Sequence, residues 1–167
     1  MKRFLSAALL LLTLHGLCGC HFLRDSGDTV SFYYRRQPEA ISHGQEDGVI
    51  APETREISGG RDNLKYLLAL YFRGPMDTSL TSPFPAGTNL ADLRWEDATL
   101  VLTLNSAPEQ LADMDLTIAC TCLAKTCFGL SEAEQILIET SEGAPGITMT
   151  RDSFLMTDLV PETNPTE

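Results

Sequence analysis

Basic residues are scarce in this chain: 12 Lys and Arg stand against 23 Asp and Glu in 167 residues, a formal net charge of −11. Binding to phosphate backbones needs a basic patch, and none is present, so nucleic acid is excluded as a partner. Polybasic attachment to anionic lipid is excluded on the same ground. Histidine is nearly absent, with three copies. His21 and His43 both fall in polar, irregular stretches, so no Ser–His or Cys–His nucleophile pair has its base on a rigid element. Ser58-Gly59-Gly60 lacks the lysine of a phosphate-binding loop. No apolar run approaches the ~20 residues that span a bilayer. Five cysteines are too few for a disulfide framework. No cofactor is implied. Hydrophobic residues nonetheless make up 43% of the chain, enough for a packed core.

What is present begins at the N-terminus. Lys2 and Arg3 are followed by an apolar run from Phe4 to Leu14, and then by Leu17-Cys18-Gly19-Cys20. A basic start, a short apolar run and small residues before a cut describe a secretory signal. The tetrapeptide resembles the bacterial lipobox, in which the last cysteine receives a diacylglyceryl group before cleavage. Residues 1–19 are then the signal peptide and Cys20 is the lipidation site. Acyl chains such as palmitate hold the protein on the extracytoplasmic face of the cell membrane, because two chains anchor firmly where one binds only reversibly. The alternative is an ordinary signal peptide with a coincidental cysteine. Losing Lys2 and Arg3 makes the remaining chain more acidic by two charges. Residues 20–29 read as a tether, residues 30–160 as one domain, and residues 161–167 as a disordered tail.

Along the domain, Val30 to Arg35 is rich in β-branched and aromatic residues and predicts a strand. Residues 38–48 predict a loop, and Val49 to Ile57 a strand interrupted by Pro52. Asp62 is the expected N-cap of a helix whose apolar face carries Leu64, Leu67, Leu68, Tyr71 and Phe72, stopped by Gly74-Pro75. A Pro- and Gly-rich loop over 76–89 leads to two strands, Leu90 to Trp95 and Thr99 to Leu104, turned at Glu96-Asp97-Ala98. Leu100, Leu102 and Leu104 alternate with Val101 and Thr103, a strand period with one strongly apolar face. A second helix is expected over Glu109 to Cys127, ended by Gly129. A strand over Glu134 to Thr140 follows, with a turn at Gly143-Ala144-Pro145-Gly146. The expected class is α+β: a small, mostly antiparallel sheet with two helices packed on one face.

Chemistry has few candidate residues. Cys120, Cys122 and Cys127 are spaced C-x-C-x4-C, without paired C-x2-C arms or a fourth ligand, so no metal site is expected. Leu116, Cys120, Leu123 and Cys127 recur at helical spacing, which places two thiols on the apolar stripe as small hydrophobes. Cys122 falls off the stripe and is expected to be exposed. Asp113 with Asp115, Glu96 with Asp97, and Glu139 with Glu142 are paired acids, but nothing sets a cleft between carboxylates of the kind glycoside cleavage needs. Catalysis is not indicated.

From Asn63 to about Asp158 the pattern resembles the GerMN domain of exported bacterial proteins linked to sporulation and germination. The residues that carry the likeness are Leu64-Lys65-Tyr66-Leu67-Leu68 running into Gly74-Pro75, and then Leu80-Thr81-Ser82-Pro83-Phe84-Pro85-Ala86-Gly87-Thr88 before a hairpin. Phe32-Tyr33-Tyr34 and Pro52-Glu53-Thr54-Arg55-Glu56 extend it. The proline and glycine positions read as architecture: Pro83 and Pro85 stiffen the crossing, and Gly87 permits φ > 0. The resemblance implies a unit similar to ring-building modules, which assemble through side-by-side helix and sheet surfaces. It implies an assembly module whose partners are cell-envelope proteins or further copies of itself, and the missing catalytic constellation makes that module non-catalytic. This chain holds one copy of the unit, whereas some relatives carry two. The alternative is a binding module for cell-wall fragments or a small-molecule ligand, which predicts a concave pocket with convergent polar groups rather than a flat apolar patch.

Overall fold

A computed structural model describes residues 28–40, 48–60, 62–142 and 146–153. The signal peptide, Cys20, His21, His43 and the tail from Pro161 lie outside these residues, as does most of the turn before Gly146. β1 (Asp28–Arg36) pairs antiparallel with β2 (Ile50–Ile57), and at its far end with β3 (Leu80–Thr81), giving a three-stranded sheet of order β2-β1-β3. β4 (Leu90–Glu96), β5 (Thr99–Leu104), β6 (Gln135–Thr140) and β7 (Ile147–Thr150) form a second sheet in chain order. Among the described residues there are two α-helices, α1 (Leu64–Tyr71) and α2 (Asp113–Leu130). The class is α+β, and among the described residues all strand pairs are antiparallel except β5–β6, which α2 connects as a crossover. The strands divide between two sheets rather than forming one. The 76–89 segment, stiffened by Pro83 and Pro85, carries the chain from the first sheet to the second.

Local rules account for most elements. In β1, Val30, Phe32 and Tyr34 are buried in alternation. Pro52 does not interrupt β2: it pairs with Tyr33, whose N–H is turned away from β2 toward Thr126 Oγ1 at 2.9 Å. At such a non-bonded pair the proline nitrogen faces outward from an edge strand, where no ladder bond is lost. β4 and β5 close through the two-residue loop Asp97-Ala98, with Asp97 at φ 52°. The N-cap of α1 is Asn63 rather than Asp62, for its side chain accepts the Tyr66 N–H at 3.0 Å, three residues on. α2 starts later than expected. Pro108 nucleates a short 3-10 turn over Ala107–Gln110, and Leu111 is extended before the helix begins. It also runs past Gly129, and Ser131 Oγ donates to the Cys127 carbonyl at 2.8 Å at its end.

α2 decides the tertiary arrangement. It lies beside β1 and also packs on β6 and β7, while α1 touches β4. Its burial is therefore not a stripe. Ala119, Cys120, Cys122, Leu123, Ala124, Thr126 and Cys127 are all buried. The buried position of Cys122 overturns the expectation of an exposed thiol, because a helix shared by two sheets has more than one apolar side. One continuous core joins both sheets and both helices, from Phe32, Tyr34 and Tyr71 to Leu102, Leu123 and Ile136. Tyr34 and Tyr71 stack at 5.0 Å between centroids.

Candidate binding pocket and buried ion pair

The candidate chemical residues are scattered. Burial pushes the Cys120 thiol up to about 11 and the Cys122 thiol up to about 12, and Cys127 higher still. A protonated, water-excluded thiol is neither a nucleophile nor a metal ligand. Among the described residues no group of Cys, His, Asp or Glu could hold a metal ion. The paired acids are not held together as acids. Asp115 meets Arg35 at 2.7 Å on the surface. Glu96 and Glu139 share Arg94, at 2.9 and 3.1 Å, on the outer face of the second sheet. Glu139 also accepts from Thr103 Oγ1 at 2.9 Å. Both carboxylates meet one guanidinium rather than each other.

An apolar pocket of about 480 Å³ opens beside the N-terminal half of α2. Leu104 and Ile138 from the second sheet form its floor, with Leu111, Leu116 and Cys120 along α2 and its entry. Phe84 closes one end. It is placed there by the loop that the prolines stiffen, its N–H bonded to Ser82 Oγ at 3.3 Å and its ring edge-on to Phe72 at 5.7 Å. Gly87 turns that loop at φ 87°, and the Asn105 side chain holds the Gly87 carbonyl at 2.8 Å. Glu109, Glu139 and Thr140 are its polar lining residues, and the Glu109 carboxylate accepts the Thr140 hydroxyl. This size and lining suit a small apolar ligand or a side chain.

Sequence reasoning missed the most buried charges. Glu53 and Arg55 lie on the inward phase of β2 with Ala51 and Ile57. Arg55 Nε donates to Glu53 Oε1, and its outer nitrogen donates to the Gly74 carbonyl at 2.7 Å and to Tyr34 Oη at 3.2 Å. The guanidinium lies over the Phe32 ring at 5.0 Å. Glu53 Oε2 accepts the N–H groups of Met76 and Asp77 at 2.7 and 2.8 Å. The pair thus ties the end of α1 to β2. Burial, the largest influence, raises Tyr34 to about 12. The signal that could have revealed the pair is the two-residue period itself: charges in phase with buried neighbours demand partners.

These elements make an α+β module with a GerMN-like fold, the fold that the sequence resemblance implies. It is similar to the tandem GerMN domains of the sporulation protein GerM from Bacillus subtilis, with a TM-score of 0.52 and 13% identity over 75% of this chain and 45% of that one. The chain thus spans less than half of that tandem structure. A candidate lipoprotein from Clostridium perfringens aligns with a TM-score of 0.47 and 13% identity over 77% of this chain and 91% of that one. No family model and no curated protein matches the sequence. No helix among the described residues is long and apolar enough to cross a membrane.

Proposed function

We propose that this chain is a lipid-anchored, extracytoplasmic module that works by non-catalytic protein–protein contact in sporulation, germination or cell-envelope assembly. The observation that carries this reading is the GerMN-like fold, since the neighbour with that fold is a sporulation protein. The lipobox-like Leu17-Cys18-Gly19-Cys20 supports the anchor. Two acyl chains on Cys20 hold the acidic domain at the membrane without any basic patch. Partners are envelope proteins or further copies of the chain.

Two measurements test it. Labelled palmitate is expected to enter the wild-type chain and not Cys20→Ala, and the variant is expected to leave the membrane fraction. Light scattering on the full chain in detergent, over a wide concentration range, is expected to show a defined oligomer or capture of an envelope protein. A strict monomer with no captured partner refutes the assembly role.

A second reading, a binding module for cell-wall fragments or another small molecule, is favoured by the apolar pocket of about 480 Å³ beside α2. Filling it with Leu116→Trp should abolish ligand-induced stabilisation and leave self-association unchanged.

A further inference from the structure

β1 is central in its sheet along only part of its length. On one side β2 pairs with it from Asp28↔Ile57 to Arg35↔Ile50; on the other, β3 reaches only Arg35 and Arg36. The Tyr33 N–H is turned away from β2, because it donates to Thr126 Oγ1. Backbone groups alternate along a strand, so the N–H and C=O of Thr29 and Ser31 point the same way as those of Tyr33. No strand among the described residues pairs with β1 on that side before Arg35. Among the described residues, the Thr29–Ser31 stretch of this edge faces a cleft of about 1180 Å³, whose far wall is formed by residues 128–135 and 150–152. An uncovered row of strand donors and acceptors is a template for an added strand.

The charge of the cleft selects the occupant. Asp62, Glu132, Glu134 and Asp152 line it, and all four are exposed. The guanidinium of Arg151 is turned to the carbonyls of Phe128 and Ser131, at 3.4 and 3.3 Å, and lies over the Phe128 ring at 4.8 Å. We propose that the cleft takes an extended polypeptide segment with basic side chains, which adds as a strand to the Thr29–Ser31 edge of β1. Main-chain hydrogen bonds to Thr29 and Ser31 hold the segment, and its lysines or arginines meet the carboxylates. This gives the protein-contact reading a surface and a partner chemistry, and it rests on that reading.

The test uses the full chain in detergent and an eight-residue peptide of alternating lysine and valine, blocked at both ends. Calorimetry should detect binding that weakens with salt, and amide exchange should slow at Thr29 and Ser31. Ser31→Pro removes the N–H that faces the cleft and no main-chain bond to β2, its one loss there being the exposed Ser31 Oγ–Thr54 Oγ1 contact at 3.5 Å, and should weaken binding about tenfold. Should that variant fail to fold, the exposed pair Glu132→Lys and Glu134→Lys should weaken binding and flatten its salt dependence. Equal binding by Ser31→Pro, or by a peptide of alternating glutamate and valine, overturns the proposal. So does faster exchange at Ser31 on deletion of residues 154–167, or loss of a dimer in Ser31→Pro, which would give the edge to the chain's own tail or to a second copy. If the peptide fails while envelope partners are still captured, the cleft assignment falls and the protein-contact reading stands.

Discussion

Replacing Arg55 with leucine should cost more stability than removing any surface ion pair. Its side chain is 11% exposed and that of its partner Glu53 is 9% exposed. The substitution strips Glu53 of its counter-charge and leaves the Gly74 carbonyl and the Tyr34 hydroxyl without their guanidinium donor. Removing one partner of a buried pair costs about 3–5 kcal/mol. Glu53 keeps the N–H donors of Met76 and Asp77, which places the expected loss near the lower end, about 3 kcal/mol. For a domain of this size that lowers Tm by about 10 °C. The exposed Arg35–Asp115 pair, at 38% and 52%, is worth about 0.5 kcal/mol by comparison. Urea unfolding of Arg55→Leu, Glu53→Gln and the double variant measures the coupling. The double variant should cost clearly less than the sum of the two single losses. A loss below about 1 kcal/mol for Arg55→Leu, or strict additivity, would refute the claim that this pair works as a buried unit.

The buried thiols predict a weakness to alkali. Their native values stand above the ordinary 9.0, at about 11 for Cys120 and about 12 for Cys122, so the folded state keeps protons that the unfolded chain loses. Their contribution is intact below pH 9 and declines as pH rises toward the native values, by about 1.4 kcal/mol per pH unit for each thiol. Urea midpoints between pH 8 and 10.5 should fall more steeply in the wild type than in a Cys120→Ala, Cys122→Ala, Cys127→Ala variant; equal slopes would count against burial as the cause. Thr126→Val removes the acceptor of the Tyr33 N–H inside the core and should cost about 1–2 kcal/mol, with faster exchange at the Tyr33 amide. An unchanged amide would mean that this bond does not secure α2 to β1.

Much of the local structure was legible in order. β5 and α1 announce themselves by period, and Gly74-Pro75 and Asp97 mark real ends and turns because their backbone preferences act without neighbours. The errors fall where tertiary context overrides a local rule. Pro52 reads as a break because proline has no N–H to donate to a ladder, yet it sits on an edge with its nitrogen outward. Asp62 and Asn63 are adjacent and equally good caps by type, and only the path of the chain selects between them. The two-residue β3 and the short β7 carry too few residues for a periodic signal. The candidate pocket joins Phe84, Leu104, Leu116 and Ile138, four positions with no sequence relation to one another.

The sequence by itself determined the class, the order of the longer elements, the excess of acidic residues and the expectation of lipid on Cys20, because each depends on composition or on neighbours a few residues apart. Only the tertiary structure decided that the strands split into two sheets and that α2 serves both. It also buried Cys122 with its neighbours and closed Glu53 and Arg55 into an ion pair. These outcomes rest on contacts between segments tens of residues apart. Burial there depends on what lies on the other side of each element, and the periodicity of one element carries no record of that.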